Sequence, residues 1–358
     1  MYQEVLLSIL ILAAGLALLV KGSDFFVKYA ASIARKLGVS EFVIGLTLVA
    51  VGTSIPELIT SMLASIKQQS DIAIGNVVGS NIVNIGFILG LAAALRSIRT
   101  RQEMLKRDGY IMLFAALLFF AFSFNRTISR TEAIIFIFLY FAYVMFLFST
   151  KPKLKGKYKF ADFIKHFFGF KYLIAAKSEK ASNLNKVEKR RITVREERQT
   201  KQLSKVGLTK DLVILIISGF AVIFGAKYLV DEAIFFADFF NVPKSLIGIS
   251  LVAVGTSLPE LSVSVSAARK GYGDIAVGNI IGSNIANIFL ILGASALIFP
   301  LSVIKSTLLL STPFMIFESV LLLVFIKSQW EIRRIEGIIF IVLYSLFMIF
   351  MFFSNIVL

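Results

Sequence analysis

Two carboxylates, Glu57 and Glu260, stand inside apolar stretches, and each closes the same short phrase. Gly52-Thr53-Ser54-Ile55-Pro56-Glu57 is matched by Gly255-Thr256-Ser257-Leu258-Pro259-Glu260. An ion held within a stretch long enough to cross a bilayer is costly, which makes each glutamate a functional candidate. Proline withholds a backbone donor, so Pro56 leaves the carbonyl of Gly52 without its helical partner. Nearby carbonyls, including those of Ala50 and Thr53, can then turn inward. Such irregular backbone survives at membrane depth only where it is buried in protein or lines a cavity. Ser54 and Glu57 are three residues apart and share one helix face.

A second phrase supplies more oxygen. Gly75-Asn76-Val77-Val78-Gly79-Ser80-Asn81-Ile82-Val83-Asn84 recurs from Gly278 to Asn287. Ser80 and Asn84 are four apart on one face, as are Ser283 and Asn287. Glycines at the same interval, Gly75 with Gly79 and Gly278 with Gly282, permit close helix approach. Brought together, these segments would gather two carboxylates, two amide oxygens, four hydroxyls and several carbonyls. That is a cage for a hard cation. Ca2+ takes about 6–8 oxygen ligands, Na+ is equally suited to carbonyl and hydroxyl oxygen, and the lack of nitrogen or sulfur ligands argues against zinc, copper or iron. Two carboxylates are neutralised by one Ca2+, by two protons, or by several Na+ shared with neighbouring oxygens. One site that takes a divalent ion or monovalent ions, but not both, has the logic of an exchanger.

Both phrases belong to a longer repeat that must position them. Residues 45–90 and 248–293 align without a gap, 203 residues apart, with 28 of 46 positions identical. Apolar runs of roughly 20 residues, enough to cross about 30 Å of hydrocarbon, recur ten times. They lie near 4–33, 41–66, 71–95, 108–124, 131–149, 209–238, 244–268, 273–298, 302–326 and 334–354. Five precede the central loop and five follow it. Five is odd, so the second half enters the membrane from the opposite side. Inverted pairs of this kind are typical of secondary transporters, whose sites sit near the bilayer midplane between the halves. The expected fold is an all-α integral membrane protein with ten transmembrane helices in two inverted five-helix halves. These are residues 1–150 and 209–358, joined by a basic loop, 151–208.

The composition agrees. With 57% hydrophobic residues and a mean hydropathy of +0.83, the chain lies outside the usual range of soluble domains. The net charge of +16 is concentrated in one place. Residues 151–205 hold 17 Lys and Arg against five acids, while Arg35–Lys36, Arg96–Arg107, Arg269–Lys270 and Lys327–Arg334 are smaller basic clusters. The positive-inside bias places this set in the cytoplasm and both termini outside the cell membrane. The charge therefore reports topology and anionic headgroups rather than nucleic acid, and no obligate protein partner is evident. The first run lacks a basic leader and carries Glu4, so it reads as a retained helix rather than a signal peptide. There is no cysteine, and the single histidine, His166, lies in the basic loop.

At these motifs the chain resembles the cation/calcium exchanger superfamily, and most closely its prokaryotic sodium/calcium exchangers. The doubled G-T-S-x-P-E and G-S-N-x-x-N phrases look like that family's two α-repeats. The resemblance implies a transporter, not an enzyme, that exchanges several Na+ for Ca2+ by alternating access and extrudes Ca2+. It needs no cofactor, the ions being its substrates. Carried over, Glu57 and Glu260 would be central ligands, with the Thr53 and Thr256 carbonyls completing a Ca2+ site. The Ala50 and Ala253 carbonyls, with Ser54, Ser257, Ser80 and Ser283, would form flanking Na+ sites, and Asn84 and Asn287 would line the middle. Some relatives carry an acid where this chain has Asn287, including potassium-dependent ones. An amide there weakens the case for K+ co-transport and for proton coupling. Ca2+/H+ exchange on the same scaffold is the alternative, and a cation channel or a calcium sensor are competitors from other classes.

Other polar residues have plainer readings. Asn81 and Asn284 fall on a different face from Ser80 and Asn84 and read as packing residues. Asn76 and Asn279 share the liganding face and either flank the pathway or pack. Asp71 and Asp274 read as helix N-caps. Asp24, Lys21 and Lys28, with Lys227, Asp231 and Glu232, belong to the loosely matched helices 1 and 6. Those helices, more polar than the rest, would be the moving gate if the family likeness holds. Glu318 lies deep in the ninth run with Ala115 at its repeat position, and no role follows from the sequence.

Overall fold

The computed structural model describes residues 2–37, 41–100, 102, 104–149, 194–239 and 255–357. These residues are almost wholly helical. α1 (Tyr2–Leu37) is followed by α2 (Phe42–Thr53) and α3 (Ile55–Ile66), which meet at Ser54 with a 47° bend. Then come α4 (Ser70–Leu95), α5 (Met104–Asn125), α6 (Arg130–Ser149) and α7 (Val194–Phe239). The second half continues with α8 (Leu258–Lys270), α9 (Gly273–Ile298), α10 (Thr307–Ser328) and α11 (Arg334–Val357). Among the described residues eight helices are long and apolar enough to span a membrane, and the bent α2–α3 pair makes a ninth. Residues 240–254, which include Ala253 and the first part of the expected 244–268 run, lie outside the described residues, as does most of the basic loop with His166. The described end of that loop is helical and continuous with α7 from Val194 onward.

Burial separates centre from periphery. Within their most apolar windows α9 is 94% buried and α4 78%, against 17–22% for α1, α7 and α11. The two helices carrying the Ser-Asn-x-x-Asn phrases are therefore the core, and the outer helices show their apolar side chains to lipid. Close crossing of α2 over α9 depends on glycine. A methyl on Gly282 would stand 2.5 Å from the Leu46 carbonyl oxygen, and one on Gly278 2.7 Å from that of Phe42. Gly75 and Gly79, expected to serve the same purpose, have no described atom within 4 Å of an added methyl.

Four two-residue strands tie the helix ends. β1 (Ile98–Arg99) pairs antiparallel with β4 (Glu331–Ile332), and β2 (Thr127–Ile128) with β3 (Leu301–Ser302). α5 runs between β1 and β2, so the two ribbons lie at opposite ends of the bundle. The turn between α8 and α9 belongs to the β1 end, where Arg96 donates to the Arg269 carbonyl at 2.8 Å. Outside the core, α1 lies along α7, held by Lys36–Asp211 at 2.6 Å, and reaches α8 through Ser23–Ser262, Ser266–Asp24 and Lys270–Asp24. One local expectation fails. Gln69 and Tyr272 occupy the N-cap positions of α4 and α9, and Asp71 and Asp274 sit inside the first turn, where a negative charge still complements the helix dipole.

Candidate ion-binding site

Each broken-helix segment ends at a serine with non-helical backbone, Ser54 (φ −86°, ψ 11°) and Ser257 (φ −91°, ψ 4°), just ahead of its proline. The break turns both serine side chains across the bundle. Ser54 donates to Glu260 Oε1 at 2.8 Å and lies 3.1 Å from the Ser283 hydroxyl. In the other copy Ser257 donates to Glu57 Oε1 at 3.2 Å and lies 3.3 Å from the Ser80 hydroxyl. Each glutamate is thus held by the serine of the opposite half. Both carboxylates are buried.

A second layer repeats the crosswise pattern. The Thr53 hydroxyl donates to Asn279 Oδ1 at 3.1 Å, and Asn279 Nδ2 donates to Ser264 at 2.9 Å. Thr256 donates to Asn76 Oδ1 at 3.2 Å, and Asn76 Nδ2 to Ser61 at 2.9 Å. Asn76 and Asn279 are therefore links between the broken segments and the core helices. Farther in, Asn84 Nδ2 donates to Asn284 Oδ1 and Asn287 Nδ2 to Asn81 Oδ1, both at 2.9 Å. Asn84 sits near the start of a π-helical stretch, Val83–Leu89, and Asn287 opens another, Asn287–Leu292. Such wide turns inside α-helices recur at functional sites.

These bonds use up almost every polar atom of the cluster, and the exceptions are informative. Glu57 Oε2, Glu260 Oε2, Asn84 Oδ1 and Asn287 Oδ1 are buried and have no hydrogen-bond partner among the described residues. Buried acceptors are ordinarily satisfied, and an unsatisfied one calls for an explanation such as an ion. Here two carboxylate and two amide oxygens stay free within a network whose donors are all directed elsewhere. Free buried oxygens of this kind suit a cation.

The remaining expected ligands fall as follows. Ser54, Ser80, Ser257 and Ser283 are all in the network, as are the hydroxyls of Thr53 and Thr256. The Ala50 carbonyl already accepts the Ser54 N–H at 3.0 Å and lies 3.2 Å from the Thr53 hydroxyl. Sequence reasoning set Asn81 and Asn284 aside as packing residues, and the structure corrects this, because they bond directly to Asn287 and Asn84. Ser61 and Ser264 were missed altogether. The signal was available: all four are identical between the copies, at polar positions where packing alone asks for nothing.

The description "Sodium/calcium exchanger protein" matches this chain over residues 7–149 and 210–353. The chain belongs to the sodium/calcium exchanger family. The chain is 54% identical to the sodium/calcium exchanger MaX1 of Methanosarcina acetivorans over 96% of its own length and 98% of that protein. The inner membrane protein YrbG of Escherichia coli is 32% identical, with 82% of this chain and 81% of YrbG covered. Among solved structures, the sodium-calcium exchanger NCX_Mj soaked with Na+ and Ca2+ superposes with a TM-score of 0.74 at 30% identity, covering 95% of this chain and 97% of that one. Family membership accounts for the chemistry the cluster suggests: exchangers of this kind are transporters, and their cargo consists of hard cations suited to buried oxygen.

Proposed function

We propose that Glu57, Glu260, Asn84 and Asn287 form one oxygen cage that Ca2+ and Na+ occupy in turn, and that this occupancy drives exchange. The chain is a Na+/Ca2+ exchanger, a transporter rather than an enzyme, and the observation that carries the cage is its four free buried oxygens. With the carbonyls of Thr53 and Thr256 they reach the lower end of the roughly 6–8 oxygens that Ca2+ takes. Two carboxylates balance one Ca2+. When it leaves, Na+ replaces its charge at the same acids, with Ser54, Ser80, Ser257 and Ser283 and the Ala50 and Ala253 carbonyls forming the flanking positions. An empty, doubly charged cage in a dry interior is costly, so ions of one kind must enter as the other kind leaves. That requirement couples the two fluxes.

The same reading completes the architecture. Residues 1–150 and 209–358 form two inverted halves of five spans, ten in all, with the loop 151–208 between them. The ribbon pairing supports inversion: a shift of 203 residues carries β1 onto β3 and one of 204 carries β2 onto β4, yet β1 pairs with β4 and β2 with β3. Equivalent connections of the two halves therefore sit at opposite ends. The basic end, with its loop, faces the cytoplasm of a cell whose plasma membrane holds the protein, both termini lie outside, and an inward Na+ gradient drives Ca2+ out by alternating access.

Vesicles containing the purified protein, loaded with Na+ and diluted into Na+-free medium, will accumulate radioactive Ca2+. Glu57→Gln and Glu260→Gln will each abolish that uptake. Uptake driven only by an imposed pH gradient would replace Na+ with H+ as the coupling ion, and full activity in either glutamine variant would move the site elsewhere.

A further inference from the structure

A carboxamide is two-faced. Its oxygen attracts a cation and its NH2 repels one, while the two ends are nearly the same size. For Asn84 and Asn287 to serve a cation cage, something must decide which end points inward. Nothing within the cage does so.

The decision is made outside it. Asn284 Nδ2 faces the Asn81 carbonyl oxygen at 3.4 Å and the Met112 sulfur at 3.8 Å. Both are acceptors only, so the NH2 of Asn284 must be the end that meets them. Asn284 Oδ1 is thereby turned toward Asn84, whose Nδ2 donates to it at 2.9 Å, and Asn84 Oδ1 is left facing the cage without a partner. The other copy repeats the chain of constraints. Asn81 Nδ2 meets the Asn284 carbonyl oxygen at 3.4 Å and the Met315 sulfur at 3.5 Å, its Oδ1 takes Asn287 Nδ2 at 2.9 Å, and Asn287 Oδ1 is free. Met112 and Met315 are themselves 203 residues apart, on α5 and α10.

We infer that Asn81 and Asn284, backed by Met315 and Met112, are positioning residues that fix the polarity of Asn287 and Asn84 and so make the site selective for cations. The inference rests on the cage reading above. Replacing Asn284 with leucine fills the same space but removes the acceptor. The orphaned Nδ2 of Asn84 then has no reason to stay outside the cage, and the amide turns over.

The test uses the full-length protein in detergent and in vesicles, with Ca2+ as the probe. Isothermal titration of Asn284→Leu should give a Kd for Ca2+ raised about tenfold, the scale of one such hydrogen bond, with KM rising in parallel and the maximal rate changing less. Adding Asn84→Asp should restore affinity, because a carboxylate presents oxygen whichever way it turns. Asn284→Gln keeps both an acceptor for Asn84 and a donor for the Asn81 carbonyl, so it should lose less affinity than the leucine variant; it serves where the leucine variant does not fold. Met112→Leu should show a smaller shift, about twofold, since the Asn81 carbonyl still orients Asn284. Unchanged Kd in a folded Asn284→Leu, no rescue by Asn84→Asp, or a loss in Asn284→Gln equal to that in Asn284→Leu would each overturn the relay while leaving the cage intact. A wild-type protein without Ca2+ affinity would remove the cage and the relay with it.

Discussion

Ser54 and Ser257 each donate a hydrogen bond to the carboxylate of the opposite half, and that bond decides which glutamate oxygen is left for the ion. A hydrogen bond to a charged group contributes about 1.5–3 kcal/mol. Ser54→Ala should therefore weaken Ca2+ binding by roughly tenfold or more, read by titration, with Ser257→Ala close behind. Glu318 presents the opposite case. It is fully buried in α10 with both oxygens unpartnered among the described residues, and a methyl on Gly86 would come within 2.5 Å of its Oε1. No bond is lost when a neutral amide of the same shape replaces it, so Glu318→Gln should keep vesicle exchange within about twofold of wild type. The acids, Asn84, Asn287 and the four serines were legible from the sequence because the chain repeats them in a setting that penalises polarity. Asn81 and Asn284 were not, for a geometric reason. Helix periodicity relates residues of one helix, whereas these two act across the contact between α4 and α9, where position 81 of one meets position 287 of the other.

At the scale of elements, the proposed cage depends on two helices that break and two that widen. The break was readable: Pro56 and Pro259 fix it, and the 47° bend at Ser54 follows. The π-helical stretches at Val83–Leu89 and Asn287–Leu292 were not, since no residue type there forbids an ordinary α-turn. Nor were the two-residue strands, which are too short to carry an alternating pattern. What holds the broken and intact helices together is the crossing of α2 over α9. Gly282→Ala would drive a methyl to 2.5 Å from the Leu46 carbonyl oxygen and 2.8 Å from Ala50 Cβ. A backbone carbonyl cannot rotate out of the way as a long side chain can. The helices must separate, at a cost of about 1–3 kcal/mol, and Ser54 moves with α2. A lowered melting temperature together with weakened Ca2+ binding is the expected outcome. Loss of stability with unchanged affinity would show that α2 does not carry the site.

Across the whole molecule the two halves are alike in the cage and unlike around it. Three pairs of side chains join α1 to α8 at the basic end: Ser23–Ser262 at 2.7 Å, Ser266–Asp24 at 2.6 Å and Lys270–Asp24 at 2.9 Å. The positions 203 residues away are Ala226 with Ile59, Leu63 with Lys227, and Lys67 with Lys227. Not one of the three can be made there, and the last sets two cations against each other. In a transporter built from inverted halves, a contact made by one half in one access state is made by its equivalents in the other. These contacts would thus latch the basic end when it closes, and the equivalent side chains give closure of the opposite end no such latch. Asp24 and Lys270 are partly exposed, so their pair contributes at most about 1 kcal/mol, and each serine bond adds a similar amount. That is enough to tilt a two-state equilibrium severalfold without locking it. Asp24→Asn should raise the population open at the basic end, and apparent affinity scales with the competent fraction. Ca2+ presented to that end should then show a KM about two- to fivefold lower, and Ca2+ presented to the opposite end a higher one, measured in vesicles of each orientation. Lys67→Glu, which offers Lys227 a partner, should shift both in the same directions by stabilising closure of the far end. Equal changes from both sides in either variant would mean that the contact supports the fold and does not set the direction in which the site opens.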